Sequence, residues 1–136
     1  MTDITYRPYR STDADDVKKI IDEAFYIHRY VHGQHVLDAA LEVYLRDQLV
    51  ASTWSRVAVK GGHVVGIILG RVAGEPHLRE RTKNRALLWA HTARGAILGL
   101  PQWKSLRALF AFESVAHRLG AATGTSLDDE LTLFAV

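Results

Sequence analysis

Three groups of side chains in this chain are of kinds that do chemistry. Asp128, Asp129 and Glu130 form an acidic run at the start of the last apolar stretch. Like charges packed so closely raise the pKa of one member, which suits a proton acceptor, although the run reads equally well as surface carboxylates. Tyr26, Tyr30, His32 and His35 follow one another closely. They either line a site or divide into core tyrosines and solvated histidines. His28 and His32 are four apart and would share a helical face, as zinc ligands can. Gly33 should break the helix before His35 and no carboxylate sits at a helpful spacing, so no metal is expected. The third group is basic and aromatic. Arg79, Arg81, Lys83, Arg85 and Arg94 are interleaved with Leu87, Leu88, Trp89, Ile97 and Trp103. Such a tract can meet nucleic acid, an anionic membrane or phosphate groups. The plainer reading packs its aromatic face over the rest of the protein. It is favoured because Arg79, Arg81, Lys83 and Arg85 alternate and cannot share one helical face.

The elements that would position these groups are legible in the hydrophobic pattern. Arg56 to Val72 reads as two strands around Gly61-Gly62, a pair free to take the positive φ of a tight hairpin turn. The return strand is apolar on both faces, so it should be central and covered on both. Ile4 to Arg10 alternates and reads as a strand that Pro8 confines to an edge. Thr12 and Asp15 have capping-box spacing. Val17, Ile20, Ile21, Ala24, Phe25 and His28 then continue at helical spacing to a stop at Gly33. A second helix is predicted from about Val36 to Ala51. Two more, Leu78 to Leu98 and Gln102 to Leu119, are divided by Gly99-Leu100-Pro101. In the closing stretch Leu131, Leu133 and Ala135 would point one way and Thr132, Phe134 and Val136 the other. Neither face is charged, so this too reads as a fully buried strand. A central strand at the end of a chain predicts further polypeptide beyond Val136.

At 136 residues, 48% of them hydrophobic, the chain suits one domain with a real core. It is an α/β chain of the α+β kind, with a helical insertion at about 75–120. No apolar run approaches the roughly 18 residues of a membrane helix, and the start lacks signal-peptide character. There is no cysteine, hence no disulfide and no thiolate nucleophile. A cytoplasmic protein is expected. The net charge of +2 conceals an asymmetry, for residues 71–120 hold nine Lys/Arg against three acids while the remainder is acidic.

ITYRPYRSTDADDVKKIIDEAF, VAVKGGHVVGIILG and DDELTLFAV, in this order, resemble the N-terminal half of the GNAT superfamily of N-acetyltransferases, up to its fourth strand. The resemblance implies a mostly antiparallel sheet of about four strands, two N-terminal helices and a two-helix insertion before the fourth strand, where the family usually has a short turn. It implies acetyl-CoA as co-substrate and a primary amine, on a small molecule or a peptide, as acceptor. Phe134, Ala135 and Val136 would bind the acetyl carbonyl and pantetheine arm through their backbone. Glu130 matches a position that often serves as general base, and Tyr26, Tyr30, His32 and His35 would form the amine-recognising wall. The family's pyrophosphate loop, R/Q-x-x-G-x-G/A opening a helix, should follow directly where this chain stops. The nearest internal stretch, Arg118 to Gly124, has the wrong spacing. The expectation is therefore a front half that is inactive alone. The alternative is a non-enzymatic module, dimeric through its terminal strand and binding an acidic partner through its basic helices. Nucleic acid and membrane are not among the expected partners.

Overall fold

The computed structural model describes residues 3–99 and 130–136. Four strands form one antiparallel sheet in the order β1-β2-β3-β4: Thr5–Arg7, Trp54–Lys60, His63–Arg71 and Glu130–Ala135. Helices α1 (Ala14–Phe25) and α2 (Gln34–Ala51) lie between β1 and β2. A third, α3 (Arg81–Gly99), follows β3. The mixed α+β class is the one the pattern predicts, and the hairpin β2–β3 is central in the sheet. The second predicted insertion helix, Gln102 to Leu119, lies outside the described residues.

The local rules explain most boundaries. Gly61 and Gly62 both have positive φ (58° and 83°), giving a turn whose twist matches the flanking strands. β1 is only three residues long and stops before Pro8, which has no N–H for the ladder. Tyr9 instead donates its backbone N–H to Ser55 Oγ at 3.0 Å. Asp13, rather than Thr12 or Asp15, organises the start of α1. It is buried, takes a two-pronged ion pair from Arg7 at 2.7 Å, and accepts the Arg10 N–H at 2.8 Å. The Asp15 carboxylate stays in solvent.

The first helix ends earlier than the sequence pattern predicts, and the third begins at Arg81 rather than Leu78. α1 ends at Phe25, because Tyr26 turns into the left-handed region (φ 55°) and its N–H closes on Asp22 O at 2.8 Å. A short 3-10 turn, Ile27–Arg29, follows, burying Ile27 where a continued helix would have carried His28. Gly33 (φ 95°) begins α2 instead of ending α1.

The core lies on one face of the sheet. Val17 and Ile21 of α1, Leu45 and Leu49 of α2, and Val57, Ile67, Leu69, Leu133 and Ala135 of the strands are all buried. Truncating one of these leucines or isoleucines to alanine typically costs about 2–5 kcal/mol. The opposite face carries Tyr6, Arg56, Ala58, Ile68 and Phe134, as the strand register requires. Among the described residues no element covers it as the sequence suggested. Tyr6 is 73% exposed and Phe134 59%.

β4 also departs from simple alternation. Leu69 pairs with Leu133 but Gly70 pairs with Leu131, so Thr132 is an extra residue, a β-bulge. The bulge sends Leu131 to the exposed face while Leu133 stays buried, although the two are spaced to point the same way. The expectation of a strand buried on both faces therefore fails.

Candidate functional site

Among the described residues β4 pairs only with β3, so its other edge is open. Glu130 opens the strand opposite Arg71, and Phe134 and Ala135 pair with Ile68 and Ile67. Ala135 is buried; Phe134 and Val136 are exposed. An antiparallel edge strand presents alternate backbone N–H and C=O groups outward, and a bulge frees one more residue from the ladder. That is a surface for an extended, amide-bearing chain.

Tyr26, Tyr30, His32 and His35 all lie exposed in the α1–α2 connection and the first turn of α2. Local ring contacts order part of this group. The Arg29 guanidinium sits 4.5 Å over the Tyr26 ring, Tyr26 meets His28 edge-on at 6.1 Å, and Phe25 leans on Tyr44 at 5.7 Å. His28 Nδ1 pairs with Asp22 Oδ1 at 3.0 Å, and the bend at Tyr26 removes the helical face it would have shared with His32.

These two groups are separated along α2. Ser52, which follows the helix, touches Thr132 of β4 at 2.7 Å. His35 is in the first turn, about 25 Å away at 1.5 Å rise per residue. Glu130 is two residues from Thr132, roughly 7 Å of strand. His35 and Glu130 therefore do not meet, and an acceptor touching both would be an extended chain rather than a small amine. Tyr26 is nearer, since its neighbour Phe25 rests on Tyr44 in the second half of α2.

The densest polar arrangement leaves almost no trace in the sequence pattern. Lys18 Nζ of α1 lies 2.8 Å from Asp38 Oδ1 and 3.0 Å from Glu42 Oε1, both on α2. Glu42 also holds Arg46 Nε at 3.0 Å, Arg46 reaches Asn84 Oδ1 of α3 at 2.9 Å, and Arg94 reaches Asp38 Oδ2 at 2.7 Å. Glu42, Arg46 and Asn84 are buried. Only Glu42 and Arg46, at i and i+4, could have been paired from spacing. The other partners lie on different elements.

The electrostatics make this a clasp rather than an acid–base pair. Burial alone would raise the carboxyls of Asp38 and Glu42, but hydrogen bonds from Lys18 and the nearby guanidiniums outweigh it and hold both below their ordinary values. Burial works against the Lys18 ammonium, yet its two carboxylate partners push its pKa above the lysine range. Groups driven away from neutrality do not shuttle protons at pH 7. His91 is pushed down, first by burial and then by Arg94 and Arg46, against the pull of Glu42 3.6 Å away. The buried Tyr9 hydroxyl has no partner in hydrogen-bond geometry among the described residues, and Arg46 is the cation near it. Burial raises the Tyr9 phenol to about 12, although the Arg46 charge pulls the other way. A cleft of about 300 Å³ opens beside the clasp between α1 and α2, lined by Asp15, Lys18, Asp22, Gln34 and Asp38 among others.

No protein-family model, curated protein or solved structure matches this chain. No described helix is long and apolar enough to cross a membrane.

Proposed function

We propose that this chain carries the acyl-donor strand of a GNAT-type N-acetyltransferase, which moves an acetyl group from acetyl-CoA to a primary amine. The observation that carries the reading is β4: a bulged, open-edged strand placed fourth in an antiparallel sheet of order β1-β2-β3-β4, with α1 and α2 between β1 and β2. Donor binding then falls to backbone, with the amides of the pantetheine arm laid along Phe134, Ala135 and Val136. Glu130 removes a proton from the ammonium form of the acceptor. The freed nitrogen pair attacks the thioester carbonyl, the C–N bond forms and the C–S bond breaks. CoA leaves as a thiolate, and the proton that the attacking nitrogen sheds as the amide forms passes to that thiolate through water. Catalysis is mainly orientation and carbonyl polarisation. The chain has no cysteine, so no acyl group passes through a thiol of these 136 residues.

Calorimetry with acetyl-CoA tests this on the chain itself, which is expected to be inactive alone. Thiol release on adding peptide amines, polyamines or small amines tests it on the chain joined to a segment that carries the pyrophosphate loop. Saturable acetyl-CoA binding weakened by Val136→Pro, which deletes a backbone donor at the strand end, is the expected result. Failure to bind acetyl-CoA at millimolar concentration overturns it. A second reading, a non-enzymatic dimer that extends the sheet through β4, draws on the exposure of Leu131, Phe134 and Val136 along a strand with no charge after Glu130. Light scattering distinguishes it.

A further inference from the structure

α3 is docked the unexpected way round. Asn84, His91, Arg94 and Gly95 face α2, where they meet Arg46, Glu42, Asp38 and Ala39. The side opposite Asn84, at about 100° per residue, carries Ala86, Trp89, Ala93 and Ile97. Trp89 is 70% exposed and Ile97 72%. For Trp89 and Ile97 the plain sequence reading, in which the aromatic face packs inward, is thus reversed, whereas Leu87 and Leu88 are half-buried and Trp103 lies outside the described residues. The reason lies in α2, whose facing surface is charged and is satisfied by polar partners rather than by an indole.

Lys83 and Arg85 flank this stripe, one on each side, and both are exposed without an ion-pair partner among the described residues. Arg94 and Arg81, by contrast, are tied inward to Asp38 and to Val50 O. α3 contains no acid at all. An apolar row with a tryptophan, edged on both sides by free cations, has the chemistry of a helix lying in a bilayer interface. The ring sits at headgroup depth and the cations reach anionic headgroups.

We propose that the outward face of α3 binds an anionic lipid surface. This goes beyond acetyl transfer and revises the expectation that no membrane is engaged. A second copy is a poor occupant, because stripe against stripe would set Lys83 and Arg85 against their own like with no acid to answer them. Nucleic acid would use the cations and Trp89 but leaves the alanines and Ile97 without a role.

The test is co-sedimentation of the full chain with phosphatidylcholine vesicles, with and without about 30% phosphatidylserine, at low salt. Binding to the anionic vesicles alone is expected. Trp89→Ala should reduce it about tenfold or more, and Lys83→Gln with Arg85→Gln about 25-fold, at roughly fivefold per cation. All three positions are exposed, and circular dichroism checks that the variants remain folded. No binding to anionic vesicles, equal binding to neutral ones, or indifference to both variants overturns the proposal. So does Trp89-dependent self-association in light scattering, or Trp89-dependent capture of polyglutamate without vesicle binding, since either assigns the face to another occupant.

Discussion

The hydroxyls of Ser52 and Thr132 lie 2.7 Å apart and join the end of α2 to the bulge of β4. Ser52 is fully buried and its one proton goes to Gln48 O at 2.7 Å, so Thr132 is the donor of the shared bond. Ser52→Ala leaves the Thr132 hydroxyl without this partner. The expected loss is about 1–3 kcal/mol in urea denaturation. If β4 holds the acyl donor, the same variant also weakens acetyl-CoA binding. A stability change indistinguishable from zero would show that this bond does not hold the strand.

Arg46 and Glu42 are both buried, one helical turn apart. Replacing either alone strands a buried charge, and Arg46→Met should cost about 3–5 kcal/mol. Glu42 keeps Lys18 as a partner, which favours the lower end. Glu42→Leu combined with Arg46→Met should recover part of the loss. A double-mutant cycle measures the coupling, and strict additivity would contradict the clasp.

Stability should fall on acidification in two stages. His91 has a folded pKa below its ordinary 6.5, so the unfolded chain binds its proton first. Its share of stability is lost as pH drops below 6.5. Asp38 and Glu42 are held below their ordinary 3.8 and 4.5, so their contribution persists until pH falls below those values. At the alkaline end Tyr9, raised from 10.0 to about 12, stabilises the fold below pH 10.0 and ceases to do so across that interval. Thermal midpoints against pH check each stage. His91→Gln should flatten the first and leave the second, and Tyr9→Phe should remove its part of the alkaline stage.

Gly70 faces Trp54 across the β2–β3 ladder, and a methyl at Gly70 would run into the indole ring. Gly70→Ala should therefore cost about 1–3 kcal/mol by overpacking. Trp54→Leu in the same background should relieve part of it. An alanine variant as stable as the parent would mean the ring moves aside freely.

Glu130→Gln should slow acetyl transfer by about 10²–10⁴-fold if this residue is the base, and should remove the acidic limb of the pH–rate profile. An unchanged profile would leave Glu130 without a catalytic role.

Much of this fold is written in short-range pattern. The Gly61-Gly62 turn, the end of β1 at Pro8 and the apolar stripe of α2 each follow from steric or periodic rules that act within a few residues. The edge strand and the central hairpin follow from them. What the sequence could not decide was which face each element presents. Leu131 and Leu133 have the same parity, and only the bulge at Thr132, set by pairing with β3, sends one outward and the other inward. Trp89 looks like a core residue by type, yet α2 had already filled the facing surface with Asp38, Glu42 and Arg46. The clasp was invisible for the same reason, since Lys18, Asp38, Asn84 and Arg94 are far apart in the chain and meet only when three helices pack. Periodicity fixes what a segment can bury, whereas its neighbours decide what it does bury.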